Sequence, residues 1–237
     1  MTAITFVAAG TASATDAATP APALPAGIAE GDLLIAAFYS REVTDGVVQG
    51  VSGWNQVFQH RDAGGILGVW SKIYKTGDLA ITWLLSGFAA GDDCIAQIAA
   101  YRNAGNVQLA TPIVLNGALE DIGPIPGCTL PPREVVIVLG GKLDDWTSVA
   151  ALSGDNLTWA EIGEPDTTTG TDAGMVWDYA INGNITTVVT VKTFDVTGGT
   201  SVAGKGCMLR VQSLDDQTVY ARKRTVARAM HGRLVGV

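Results

Sequence analysis

The chain is poor in charge, cysteine and histidine. Charged residues make up only 16% of its 237 positions against 47% apolar ones, whereas the surface of a soluble monomer is usually about a quarter charged or more. Some apolar surface is therefore expected to meet a partner. The three cysteines, Cys94, Cys128 and Cys207, are odd in number, far apart and without metal-ligand spacing, which argues against a disulfide framework or a zinc site. They read as small apolar residues in a reducing compartment. No run approaches the ~18 consecutive apolar residues of a membrane span. The first residues also lack the basic start and apolar core of a signal peptide, so the sequons at Asn156-Leu-Thr158 and Asn184-Ile-Thr186 carry no weight. No long stretch of helical period is present, and helix is expected to be minor.

Catalytic vocabulary is equally sparse. There are two histidines, His60 and His231, and His60 has no nucleophile motif beside it. A nucleophile elbow, a phosphate loop and a His-Glu-x-x-His pair are all missing. Glycoside hydrolysis would need two facing carboxylates, for which Glu161, Glu164, Asp178 or Asp144-Asp145 would be the candidates. The paired aspartates at 92–93, 144–145 and 215–216 read as turn formers. No calcium-loop run occurs. No catalytic, cofactor or metal residue is assigned, and the chain is expected not to be an enzyme.

What is abundant is glycine, with threonine and valine, in short apolar runs broken by Gly, Asp, Asn and Pro. This composition predicts strands joined by tight turns, over residues 32–39, 56–59, 66–74, 79–84, 93–101, 108–115, 134–140, 157–162, 174–180, 186–194 and 206–212. Asp32-Leu-Leu-Ile-Ala-Ala-Phe-Tyr39 is apolar at alternate and intervening positions alike, as in a strand covered on both faces. Five landmarks recur in order. Asp32-Leu-Leu-Ile-Ala, Trp54, Gly68-Val-Trp70, the turn at Gly77 and Cys94-Ile-Ala-Gln-Ile are echoed by Glu134-Val-Val-Ile-Val, Trp159, Met175-Val-Trp177, the turn at Gly183 and Cys207-Met-Leu-Arg-Val. The expectation is an all-β fold, an antiparallel jelly-roll-like sandwich with an internal two-fold pseudo-repeat. An extended lead (1–31) would precede a single body (32–213, halves 32–115 and 134–213), and a C-terminal arm (214–237) would follow it.

The landmarks Pro25-Ala-Gly27, Gly31-Asp-Leu-Leu34, Gly53-Trp54, Val69-Trp-Ser-Lys72 and the return strand at 95–101 resemble the pattern of tailed-bacteriophage virion proteins. The resemblance runs over roughly residues 4–213 and lies in the order of landmarks. It implies a jelly-roll body of the capsid-decoration, spike or tail-accessory type, in multiple copies on a virion, with no catalytic role. The segment beyond Gln212 falls outside the pattern.

That segment is distinctive in itself. Arg222, Lys223, Arg224, Arg228 and Arg233 lie in residues 217–237 without an acid among them. Ten bases then face twenty-three acids in residues 1–216, a formal −13. Val226, Met230 and Leu234, with Val219, Tyr220 and Val235, are interleaved with these bases, which suits docking onto a protein, such as an acidic neighbouring copy. Expected partners are other virion proteins and copies of this chain. Membrane is not expected, nor is nucleic acid, which the acidic body would repel. Of the six tryptophans, Trp54/Trp159 and Trp70/Trp177 fall at matching places and are expected to fill the sandwich. Trp146, in a loop, is the one that could touch a partner or a host glycan, as in a lectin-like receptor-binding module.

Overall fold

The computed structural model describes residues 2–15, 19–41, 48–50, 53–62, 65–85, 93–144, 146–167 and 173–214. The basic segment singled out above lies outside the described residues. The first half supplies β1 (Thr5–Ala9), β2 (Ser13–Thr15), β3 (Leu33–Ser40), β4 (Val48–Gly50), β5 (Asn55–Asp62), β6 (Gly65–Ile73), β7 (Trp83–Leu85) and β8 (Cys94–Arg102). The second supplies β9 (Ala104–Leu109), β10 (Val114–Leu119), β11 (Ile122–Ile125), β12 (Cys128–Leu130), β13 (Val135–Lys142), β14 (Ser148–Val149), β15 (Trp159–Gly163), β16 (Gly174–Ile181), β17 (Thr187–Val189), β18 (Lys192–Phe194), β19 (Val196–Thr197) and β20 (Val202–Ser213).

Two six-stranded antiparallel sheets form a sandwich. One runs β1-β8-β3-β6-β5, with β2 also on β8; the other runs β10-β20-β13-β16-β15, with β9 also on β20. The strand orders correspond: β8-β3-β6-β5 matches β20-β13-β16-β15, and β1 and β2 lie along β8 as β9 and β10 lie along β20. Small ribbons, β4 with β7 in the first half and β14 with β19 in the second, correspond as well, while β11–β18 and β12–β17 are additions to the second half. The winding differs from that of a jelly roll, in which successive strands alternate between sheets: here each sheet draws its strands from one half of the chain.

The central strands are buried on both faces, so apolar residues stack in three layers. Leu33, Ile35, Ala37 and Tyr39 of β3 face Val135, Ile137 and Leu139 of β13 in the layer between the sheets. Leu34, Ala36 and Phe38 turn to the outer face of the first sheet, where Trp70, Ile81 and Trp83 cover them. Val136 and Val138 do the same on the second, under Ile122, Leu152, Val189 and Phe194. Full burial of each such aliphatic or aromatic side chain contributes about 1.5–3 kcal/mol.

Several expected boundaries shift. The 1–31 lead is not merely an extended approach: β1 and β2 pair with β8, Ile4 is buried between the sheets, and Phe6 stacks on Tyr179 of the opposite sheet, ring centroids 4.7 Å apart. The expected strand 108–115 divides at Thr111-Pro112 into β9 and β10, because proline cannot donate to the ladder. The expected strand 186–194 divides into β17 and β18, which pair with different ribbons.

The tryptophan correspondence holds for one pair only. Ala36 lies opposite Trp70, and Leu139 opposite Trp177. Counted from the first residues of β3 and β13, Trp70 therefore matches Asp178, and Trp177 matches Val69. A one-residue offset reverses the face: Trp70 lies in the outer layer, whereas Trp177 fills the space between the sheets. Cys94 and Cys207 are offset by three, again an odd number, and also fall in different layers. Trp54 and Trp159 do correspond, each half-buried against the outer layer of its own sheet.

Candidate functional site

The face with the most chemistry is the outer side of the second sheet, covered in part by residues 146–157. Two carboxylates hold this cover. Asp178, buried on β16, accepts the Leu152 N–H through Oδ2 at 2.9 Å. Glu164 accepts the Val149 N–H through Oε2 at 3.0 Å. Burial raises the Asp178 pKa, the Leu152 bond partly offsets this, and Glu164 adds repulsion. Glu164 is raised in the same way, first by burial and then by Glu161 and Asp166, against the Val149 bond. Raised carboxylates of this kind can serve as general acids. Here both are engaged by backbone amides, and they act as anchors for the covering segment.

Trp146 belongs to this cover and is only 7% exposed. Its six-membered ring lies where a Cβ on Gly174 would project; the missing side chain leaves the room. The residue expected to be able to touch a partner or a glycan therefore presents little of its indole to either. Asp144 of the aspartate pair is also structural: Oδ2 accepts the N–H and O–H of Thr200 and lies 3.7 Å from Lys142 Nζ. Asp145 lies outside the described residues.

Behind the cover, Lys192 Nζ meets Asp155 Oδ2 at 2.6 Å, donates to the Ser153 carbonyl at 2.8 Å and sits 5.2 Å from the Trp159 ring centroid. Asp155 Oδ1 accepts the Thr190 hydroxyl at 2.8 Å and its N–H at 3.2 Å. Asp155 and Asn156 both take positive φ, 62° and 55°, a turn conformation that Asp and Asn tolerate. Beside this clasp lies a groove of about 470 Å³ lined by Leu157, Ile181, Asn182, Ile185 and Val188, among others.

Elsewhere the ionisable residues join strands. Each central strand begins at a carboxylate held by both arms of an arginine fork. Arg102 Nε and Nη2 reach Asp32 at 3.0 and 2.9 Å, and Arg210 Nε and Nη2 reach Glu134 at 2.6 and 2.9 Å. His60 Nδ1 lies 3.3 Å from Asp62 Oδ2, and Asp62 in turn meets Lys205. No group of three or more His, Cys, Asp or Glu among the described residues could hold a metal ion. Cys94 and Cys207 are buried thiols, and burial pushes the Cys207 thiol far up. The groove went unread in the sequence, where Ile185 and Val188 look like ordinary strand residues.

No protein-family model matches the chain, and neither does any curated protein or solved structure.

Proposed function

We propose that the chain is a non-enzymatic structural component of a tailed-phage particle. In this reading it is a β-sandwich module carried in multiple copies on capsid or tail and attached to other virion proteins, or to copies of itself, through its terminal arm. The observation that carries the reading is the use made of buried and half-buried ionisable groups. Asp32–Arg102, Glu134–Arg210, Lys205–Asp62, Lys192–Asp155, Asp178 and Glu164 each tie one segment to another. Such a body is a rigid carrier, and the basic, apolar segment 217–237 is its handle. The common strand order supports a duplicated unit as the origin of the two halves. A lectin-like role would need a sugar platform other than Trp146, whose ring is enclosed. The test is incorporation: a chain ending at residue 216 should fold and fail to enter particles, and its normal incorporation would refute attachment through the arm.

A further inference from the structure

Ile185, Val188 and Val191 are 71, 67 and 56% exposed, a concentration of apolar surface on one short stretch around β17. Ile185 and Val188 form one wall of the groove, with Leu157 and Ile181 also lining it. The rim side chains of Asn182 and Asp155 are already committed. Asn182 Nδ2 donates to the carbonyls of Leu130, Pro131 and Ile185, and its Oδ1 accepts the Thr187 hydroxyl. Asp155 is taken by Lys192 and Thr190. A glycan is recognised by polar groups free to pair with it; Ile185 and Val188 present exposed apolar surface instead, beside the polar Asn156, Thr158 and Thr186. Apolar side chains of a peptide fit better.

The chain itself brings such a peptide close. Val135 of β13 is opposite Ile181 on one side and Val211 on the other. Gly183, on the groove rim, and Ser213 therefore emerge at the same end of the sheet, two strand spacings or about 10 Å apart. Beyond Leu214 follow twenty-three residues, enough to span up to ~75 Å. Their apolar members Val219, Tyr220, Val226, Met230, Leu234 and Val235 are spread along the whole segment. Tethered so near, such a segment reaches an effective concentration in the millimolar range.

We propose that the groove at Leu157, Ile181, Ile185 and Val188 is the resting dock of the C-terminal segment 219–235 of the same chain. The inference does not depend on the virion reading, since it concerns the isolated protein, and a failure of either leaves the other standing. The segment carries its own reporters, because trypsin cuts after Arg222, Lys223, Arg224, Arg228 and Arg233. In the full-length protein these sites should be cut slowly. In the variant Ile185→Asp with Val188→Asp they should be cut about tenfold faster, as the loss of roughly one buried side chain implies. Both side chains are largely exposed, so the variant should still unfold cooperatively, its midpoint lowered by no more than the lost docking accounts for. Equal cleavage rates in the two proteins would overturn the proposal. So would wild-type protection that disappears on dilution, which would make a second copy the occupant.

Discussion

Lys205 Nζ lies 2.6 Å from Asp62 Oδ1, joining β20 of the second sheet to the β5–β6 hairpin of the first. The lysine is fully buried, and it also donates to the Gly65 carbonyl at 2.5 Å. Asp62→Ala strands the ammonium inside the sandwich and should cost about 3–5 kcal/mol. Lys205→Met replaces the charge by an apolar chain of similar length, and the aspartate, 23% exposed, can turn to water. That variant should lose about 1 kcal/mol or less, since apolar replacement of a buried pair member is tolerated far better than isolation of its charge. Urea unfolding of both variants checks this, and equal losses would contradict it.

Asp178 should give stability an inverted pH dependence. Its folded pKa is raised, chiefly by burial, so the folded protein holds this proton over a range where the unfolded chain has released it. Its contribution is therefore greatest at acid pH and is lost as pH rises from the ordinary aspartate range through the folded pKa. Asp178→Asn keeps an acceptor for the Leu152 N–H and removes the charge. The variant should equal or exceed wild type in stability at pH 7, and its advantage should shrink at pH 4. A loss at pH 7 that persists at pH 4 would count against this account.

The sequence made the central strands legible because Leu33–Tyr39 and Val135–Leu139 are apolar at every position. That pattern identifies a strand covered on both faces and led to β3 and β13 directly. The lateral register was not legible. Gly68-Val-Trp70 and Met175-Val-Trp177 look alike as text, yet Trp70 sits opposite Ala36 and Trp177 opposite Leu139. Only cross-strand pairing fixes the face. Trp177 faces inward because its Nε1 donates to Gln97 Oε1 at 2.7 Å across the sandwich, a contact between residues eighty positions apart. The burial of Trp146 was not legible for a similar reason. Its enclosure depends on Gly174, a residue with no local signal. The groove escaped notice because its walls come from separate segments, 155–158 and 181–188.

The Gly174–Trp146 contact yields a direct test of whether Trp146 is architectural. A methyl at position 174 would occupy the space of the indole ring, and overpacking of this kind costs about 1–3 kcal/mol. Gly174→Ala should lower the unfolding midpoint and expose a tryptophan to iodide quenching. Trp146→Ala should be worse, about 3–5 kcal/mol, as for a large core side chain removed. A Trp146→Ala protein of unchanged stability would restore the residue as a candidate contact for a partner or glycan.

Asp155 should behave in the opposite sense to Asp178, although both lie near the same cover. Burial pushes its pKa up, but hydrogen bonds from Lys192 and Thr190 outweigh burial and leave it below the ordinary value. Its contribution is thus present above the unfolded aspartate pKa and is lost as pH falls through the folded one. Asp155→Asn retains an acceptor for Thr190 while leaving Lys192, 6% exposed, with the Ser153 carbonyl and the Trp159 ring. The cost at pH 7 should be roughly 3 kcal/mol, the lower end for a broken buried pair, and the gap from wild type should narrow at acid pH. Unfolding curves at pH 7 and near pH 3 for Asp155→Asn and Asp178→Asn together make the test sharp. The Asp155 effect should fade toward acid as wild type is weakened, and the Asp178 advantage should fade toward acid as wild type is relieved. Two parallel, pH-independent offsets would mean that the ionisation of neither carboxylate is coupled to folding.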